Sequence, residues 1–174
     1  MEIPVDILEK CHAEGVAAYP EEACGFISGA SNDPDLLDAV WPMRNIMNDL
    51  HEKDPKLNPR TARDGYLIDP LEQLKLERLL KKKGKEIKVI YHSHPDVGAY
   101  FSEKDKEDAL WNGKARYPGV KFLVCGTTKG KPDGAIIAQF NQDSSDFDII
   151  PINSNSKETL AGIVGGVFGI TGIL

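Results

Sequence analysis

The sequence predicts one layered domain of the α/β (α+β) class, in which helices flank a mixed central β-sheet. The strongest strand is the β-branched run at residues 87–91, and single strands before it alternate with helical segments. Three further strands are predicted close together, at residues 120–125, 135–140 and 147–152. Strands that first alternate with helices and later occur in a run are typical of such layered domains.

The first third of the chain predicts one helix and several short strands. A helix is expected over residues 4–18, because Pro4 suits a first helical turn and Pro20 ends it. The polar segment 48–60 contains two prolines and is expected to be a loop or insertion. Short strands are predicted at residues 24–28, Ala39–Met43 and 65–68.

Two more helices are predicted from their end signals. Asp69 is a good N-cap with Pro70 at the first helical position, and Gly84 stops this helix just after residue 83. Its buried stripe is expected to consist of Leu71, Leu74, Leu79 and Leu80. The other helix begins at Ser102 and is expected to run to about Trp111.

Composition narrows the functional classes. The 174 residues fit one domain with a real core, since 41% are hydrophobic, and the net charge of −6 argues against a nucleic-acid binder. Cys11, Cys24 and Cys125 form no Cys-x-x-Cys pair, which indicates free thiols in a reducing compartment. Residues 1–10 contain three acids and do not resemble a signal peptide. A cytoplasmic location is therefore expected.

The C-terminal end differs from the rest of the chain. Residues 160–174 are apolar apart from one threonine and contain five glycines. Fifteen residues fall short of the ~20 that a membrane-spanning helix needs, so no membrane span is predicted. The expected division is one folded domain at residues 1–153 and a glycine-rich apolar tail at residues 154–174.

Residues 91–105 carry the pattern with the most chemical content. His92 and His94 follow a predicted strand, and residues two apart on a strand project from the same face, so both imidazoles can reach one ion. Asp105 follows in the first turn of the next helix, and two histidines with one carboxylate leave a fourth position open, as in catalytic zinc sites. A His-x-His pair by itself more often has no catalytic meaning. Ser102 and Asp105 also form a capping box, a role that competes for the same carboxylate.

The combination of motifs is more specific than any one of them. The chain reads Glu-Ala-Cys-Gly at residues 22–25, His-Ser-His at residues 92–94, then Ser102 and Asp105. This set resembles the JAMM (MPN-plus, Mov34/JAB) metalloprotease signature at the family's spacing. The order of elements over residues 5–152 is similar to small bacterial members, and implies a single MPN/JAMM-like domain with cytidine-deaminase-like layering.

Three features depart from the small bacterial members. Phe101 stands before the motif serine, where proline is common, so the loop over the site is expected to differ in shape. The segment 48–60 is longer than the shortest relatives need, and is a candidate for gripping the substrate tail. The tail at residues 154–174 has no counterpart.

The resemblance implies a role for each motif residue. His92, His94 and Asp105 would bind one Zn²⁺ per chain together with a water. Glu22 would act as general base and later deliver the proton to the leaving amine, and Ser102 would donate a hydrogen bond to the oxyanion.

Other candidate residues are weaker. Glu21 follows a proline and is expected to be solvated. Cys24 lies in an apolar run and is expected to be a buried hydrophobe instead of a nucleophile. His12 and His51 are expected to take no part.

The resemblance also implies a substrate class. It indicates a zinc peptidase or isopeptidase that cleaves after the C-terminal Gly-Gly of a ubiquitin-like protein, either a ThiS/MoaD-type sulfur carrier or a bacterial ubiquitin-like modifier. The predicted partners are that protein and, in a homodimer, a second copy of the chain. The alternative is a non-catalytic MPN-type scaffold, whose known members lack part of the ligand set. A zinc deaminase would need His-x-Glu and Pro-Cys-x-x-Cys, and neither occurs.

Overall fold

A computed structural model describes residues 2–152 of the chain. Within them the helices are α1 (Val5–Ala18), α2 (Met47–Lys53), α3 (Pro70–Lys82) and α4 (Glu103–Ala109). The strands are β1 (Cys24–Ala30), β2 (Ala39–Met43), β3 (Lys85–Pro95), β4 (Leu110–Trp111), β5 (Lys114–Ala115), β6 (Lys121–Thr128), β7 (Lys131–Asn141) and β8 (Asp146–Ile152). The predicted tail and its boundary with the domain lie outside the described residues.

Six strands form one mixed sheet in the order β2-β1-β3-β6-β7-β8. β3 and β6 are parallel, and every other neighbouring pair in this sheet is antiparallel. β4 and β5 form a separate two-stranded hairpin, which the sequence did not predict. The predicted fold class, a mixed central sheet flanked by helices, is confirmed.

Both faces of the sheet are covered, which explains why β3 and β6 are apolar almost throughout. One face packs on α1 through a core of Ile7, Leu8, Cys11, Val89, Tyr91 and Leu123. The other face packs on α3 and α4 through a core that includes Phe26, Leu76, Leu80, Ile90, Ala109 and Phe122. Because side chains alternate along β3, His92 and His94 lie on the same face as Ile90, toward α3 and α4. In the described part of the chain, no helix is long and apolar enough to cross a membrane.

Two local predictions in the first half are wrong. In the segment 48–60, residues 48–53 belong to helix α2 instead of a loop, although no α2 residue is fully buried. Asp54 ends this helix, since its carboxylate accepts hydrogen bonds from the next turn. Residues 65–68 form no strand, and only an isolated bridge joins Ile68 to Asn45.

Of the leucines predicted to form the buried stripe of α3, only Leu80 is buried. The buried residues are Leu76 and Leu80, one turn apart, whereas Leu71 is 66% exposed. Because 3.6 residues make one turn, Leu71 lies on the opposite side of the helix from Leu80. Leu74 and Leu79 are likewise exposed. Helix α4 ends earlier than predicted, since Trp111 pairs with β5.

Gly25 is fixed by the close approach of two neighbouring strands. A Cβ there would collide with the backbone carbonyl of Trp41 and lie 2.6 Å from the ring of Tyr91. We expect Gly25→Ala to reduce the free energy of unfolding by about 2 kcal/mol, as overpacking typically does. Urea unfolding followed by circular dichroism measures this, and an unchanged midpoint would contradict it.

Candidate active site

Strand β3 presents two histidines to the same buried cleft. His92 is 0% and His94 is 5% exposed. Their Nε2 atoms lie 3.1 Å apart. Both imidazoles therefore aim their Nε2 atoms at one point, at the carboxyl end of a strand that is pinned between β1 and β6.

Asp105 reaches the same point from the first turn of α4. Its Oδ1 lies 3.4 Å from the Nε2 of His92, and its Oδ2 lies 3.7 Å from the Nε2 of His94. Oδ2 also accepts hydrogen bonds from the Ser102 backbone N–H at 2.8 Å and from its hydroxyl at 2.6 Å. The predicted capping box is confirmed. The carboxylate that takes part in the cap also faces both histidines.

Glu22 enters the cleft from the chain just before β1. Cys24 pairs with His92 across β1 and β3, so in this antiparallel register Glu22 lies beside His94. Ser93 fixes the backbone next to Glu22. Its N–H donates to the Ala23 carbonyl at 2.9 Å, and its Oγ accepts from the Ala23 N–H at 2.8 Å. The carboxylate of Glu22 and the two imidazoles offer ligand atoms that all lie within 4.8 Å of one another.

The neighbouring acid is placed differently. Glu21 is exposed, and its carboxylate accepts a hydrogen bond from Asn48 at 2.8 Å. Glu22 is only 6% exposed, and among the described residues no side chain donates a hydrogen bond to its carboxylate. The expectation that Glu21 is solvated is confirmed.

The pKa values of the cleft residues are shifted in directions that suit a metal centre. Burial raises the pKa of Glu22 to about 7, although nearby His92 favours the ionised form. It lowers the pKa of His94 to about 4, so the imidazole is neutral at neutral pH. For Asp105, burial alone would raise the pKa, but the contact with the His92 imidazole and hydrogen bonds from Ser102 lower it well below its usual value. Neutral imidazole and ionised carboxylate are the forms that bind metals.

The donor set and its spacing fit a zinc ion. Two imidazole nitrogens and a carboxylate oxygen are ordinary zinc ligands, with bonds of about 2.0–2.2 Å, which separates tetrahedral ligands by about 3.3 Å. The separations of 3.1, 3.4 and 3.7 Å between His92, His94 and Asp105 match that spacing. The buried Nδ1 of His92 has no partner among the described residues, so its hydrogen can lie there and leave Nε2 free for a metal.

Aromatic rings border the histidines. Tyr66 stacks on His92 with centroids 4.5 Å apart, and Tyr100 tilts against His94 at 4.8 Å. Phe101, in place of the common proline, is buried and packs its ring against Phe122 and Phe147, which anchors the loop before α4. Sequence reasoning missed Tyr66, because the turn that carries it has no local signature.

Cys24 does not provide a nucleophile. Its thiol is buried, and burial raises its pKa to about 12, so it carries no thiolate at neutral pH. Its Sγ contacts the Met43 carbonyl in the adjacent strand. The expectation of a buried small hydrophobe is confirmed.

Comparison with known proteins identifies the family. Residues 4–139 match Prok-JAB, the prokaryotic homologs of the JAB domain. The chain belongs to this family. It is 31% identical over 126 residues to a desampylase of Haloferax volcanii, a match that covers 72% of this chain and 73% of the relative. It is 30% identical over 125 residues to a probable TtuB-protein conjugate cleaving protease of Thermus thermophilus, a match that covers 72% of this chain and 69% of that relative.

Three further proteins are similar to this chain. A CysO-cysteine peptidase of Mycobacterium tuberculosis is 32% identical over 103 residues, which cover 59% of this chain and 61% of the relative. A solution structure of a Desulfitobacterium hafniense protein superposes with a TM-score of 0.60, at 25% identity, covering 84% and 86% of the two chains. A solution structure of a Salinibacter ruber protein superposes with a TM-score of 0.58, at 24% identity, covering 91% of this chain and 94% of that protein. The predicted family and enzyme class, a JAMM-type metallopeptidase, are confirmed.

All five residues predicted from the sequence meet in one cleft of this Prok-JAB domain. β3 contributes His92 and His94, the start of α4 contributes Ser102 and Asp105, and the segment before β1 contributes Glu22. Three separate stretches of chain thus supply two imidazoles, two carboxylates and one hydroxyl, a set that can hold a metal ion and move a proton.

Proposed function

We propose that the chain hydrolyses the bond that follows the C-terminal Gly-Gly of a ubiquitin-like protein, with one Zn²⁺ held by His92, His94 and Asp105. The observation that carries this proposal is the convergence of two buried imidazoles and a capped carboxylate within 3.7 Å, with Glu22 beside them. The relatives support the substrate class, since one is named a desampylase, one a probable TtuB-protein conjugate cleaving protease and one a CysO-cysteine peptidase.

The assignment of the two carboxylates follows from their contacts. Asp105 is held in place by two hydrogen bonds from Ser102 and faces both imidazoles, which suits a ligand. Glu22 has no such hydrogen bonds among the described residues, and burial raises its pKa to about 7, which suits a proton carrier. A zinc ion held by these residues would lower the pKa of a coordinated water towards ~7 and would polarise the scissile carbonyl.

The protein's own residues then move the protons. Glu22 takes a proton from the attacking water and returns it to the nitrogen of the leaving amine, as a carboxylate with a raised pKa can do. The Ser102 hydroxyl donates a hydrogen bond to the oxyanion of the tetrahedral intermediate. In the described geometry that hydroxyl donates to Asp105, but the Ser102 backbone N–H bonds to the same oxygen. The hydroxyl can therefore turn to the substrate while Asp105 stays in place.

The aromatic rings beside the two histidines favour a substrate whose C-terminal tail is rich in glycine. Tyr66 and Tyr100 contact the two imidazoles directly and occupy space beside the metal position. A Gly-Gly backbone can approach closely between such rings, because it carries no side chains to collide with them.

The segment 48–60 is proposed to contact the substrate tail. Its first residue, Asn48, donates to Glu21 and accepts from the Ala62 N–H, and Ala62 in turn accepts from the Glu22 N–H at 2.6 Å. The segment therefore lies beside the general base. Replacing residues 50–60 with a short turn, which keeps Asn48, is expected to raise KM for the tail at least about tenfold; an unchanged KM would contradict this role.

The cytoplasm is the proposed location. The described structure contains Cys11, Cys24 and Cys125 as free, buried thiols. Unpaired cysteines are typical of reducing compartments, where ubiquitin-like carriers would also be available as substrates.

The test of this function is cleavage of a ThiS/MoaD-like protein that is extended by a short peptide beyond its Gly-Gly. Mass spectrometry should show a product that ends at the second glycine. Changing that glycine to valine is expected to reduce kcat/KM at least about tenfold, because the added side chain meets the aromatic border. Zinc-loaded protein that cleaves none of several such carriers would favour the scaffold alternative.

A further inference from the structure

We propose that a cavity beside the active site binds the side chain of a single large apolar residue that follows the diglycine, and that Arg116 binds its free carboxylate. This inference rests on the proposed function and names its substrate more closely. The preferred reaction would be removal of one C-terminal amino acid, in preference to cleavage of a lysine conjugate.

The cavity opens next to the proposed metal ligands. It has a volume of about 270 Å³ and lies between α3, α4 and the sheet. Asp105 and Tyr66 form part of its wall and also contact the histidines, so the cavity and the active site share a boundary. A substrate positioned at the metal can therefore extend a neighbouring side chain into the cavity.

The size and lining of the cavity select an apolar group. Its floor consists of the core residues Phe26, Ile68, Ile90, Ala109 and Phe122. A dry cavity of about 150 Å³ can hold a benzene molecule, so this one has room for a phenyl or isobutyl group. Burying such a side chain in this cavity favours binding, because apolar surface is removed from water.

The diglycine itself cannot fill this cavity. In the proposed substrate, the two residues before the scissile bond are glycines and present no side chain. The nearest side chain therefore belongs to the residue released by hydrolysis. In that reaction the oxygen of water forms a bond to the carbonyl carbon, the C–N bond breaks, and the amine of the released residue takes up a proton.

The charges at the cavity mouth identify where the carboxylate of that residue binds. Three cations line the cavity: Arg60, Lys104 and Arg116. Lys104 is neutralised by Asp108 at 2.7 Å, and Arg60 lies 3.8 Å from Asp64.

Arg116 is the remaining cation, and it has no carboxylate partner among residues 2–152. Its guanidinium lies 5.9 Å from the centre of the Trp111 ring, a contact that leaves its N–H groups available. Arginine binds carboxylates with two parallel hydrogen bonds. A free C-terminal carboxylate can accept these hydrogen bonds from Arg116, whereas the side chain of a conjugated lysine cannot.

The test compares carriers that end in Gly-Gly-X, where X is Phe, Leu, Ala or Asp, with the full zinc-loaded chain. We expect kcat/KM for Phe and Leu to exceed that for Ala and Asp at least about tenfold. In a binding measurement that needs no turnover, zinc-loaded Glu22→Gln should bind acetyl-Gly-Gly-Phe about tenfold more tightly than acetyl-Gly-Gly-Phe-amide.

Two variants, each with a matched control, test whether the preference for Phe over Ala and for the acid over the amide arises at the cavity. Gln73 is half-buried at the mouth, so Gln73→Trp should fill the cavity and reduce the Phe/Ala ratio to near one. Glu77→Trp removes the same Gln73–Glu77 hydrogen bond outside the cavity and should leave the ratio unchanged. Arg116→Gln should abolish the preference for the acid over the amide, whereas Lys114→Gln, in the same hairpin, should not.

The outcomes separate this inference from the function on which it rests. Equal cleavage of all Gly-Gly-X carriers, or faster cleavage of a lysine conjugate, would overturn the inference and leave the function standing. No cleavage of any carrier would overturn the proposed function. An unchanged Phe/Ala ratio in Gln73→Trp, with the variant folded by circular dichroism, would also overturn the inference.

Discussion

Replacing Glu22 with glutamine is expected to reduce kcat by roughly 10²–10⁴-fold, the range typical of a lost general base. The substitution keeps the size of the side chain and removes only its ability to carry a proton. The backbone contacts that hold this segment, from Glu22 to Ala62 and from Ala23 to Ser93, do not involve the carboxylate. The variant should therefore fold and retain its metal.

Glu21→Gln is the matched control for that experiment. Glu21 is the adjacent acid, but it is exposed and its carboxylate accepts a hydrogen bond from Asn48. Its substitution should change kcat less than about twofold. If Glu22→Gln kept most of its activity, or if Glu21→Gln lost as much, Glu22 would not be the base. Metal content, measured on the same samples, separates loss of the proton carrier from loss of the ion.

The second large effect is expected for His92→Ala, which should lose both the metal and all measurable hydrolysis. For the wild-type chain, zinc at 100–1,000 times its Kd should stabilise the fold by about 2.7–4.1 kcal/mol. For a chain of this size the corresponding rise in Tm is about 5–15 °C. In His92→Ala the Tm should not respond to zinc, because one of the three converging ligands is gone.

His12→Ala provides the comparison for the metal experiment. His12 lies on α1, on the opposite face of the sheet from the cleft, and should leave the zinc-dependent rise in Tm intact. A rise in Tm that persists in His92→Ala would show that zinc binds elsewhere. Thermal unfolding of metal-free and zinc-loaded samples of each variant makes the comparison.

The convergence of His92, His94 and Asp105 was predictable because its determinants are local. The β-branched run that ends in His92 and His94 indicates a strand, and alternation along a strand places both imidazoles on one face. The capping signature places Asp105 in the first turn of a helix. Strand β3 and helix α4 are joined by a short loop, so short-range patterns suffice to bring these three residues together.

Features that depend on packing between distant segments were not predictable in this way. Leu71 is as apolar as Leu80, and only the position of the sheet decides which of them is buried. Tyr66 lies against His92 because the segment before α3 crosses the cleft, held by Asn45, which donates to the carbonyls of Glu22 and Gly65. No residue pattern near Tyr66 indicates that crossing.

The dual role of Asp105 could be resolved only with atomic positions. From the sequence, capping and facing a metal appear exclusive because both require the carboxylate. In the structure Oδ1 faces His92, while Oδ2 accepts from Ser102 and lies 3.7 Å from His94. The cap thus orients the carboxylate toward the histidines, and the motif serine supports the site even before any role in catalysis.

The most direct test of the central claim is a zinc titration of metal-free protein, with cleavage of a Gly-Gly-extended ubiquitin-like carrier as the readout. A site made of His92, His94 and Asp105 predicts that activity rises linearly with added zinc and stops rising at one equivalent per chain. Activity that is full without zinc, or that shows no dependence on the number of equivalents added, would contradict it.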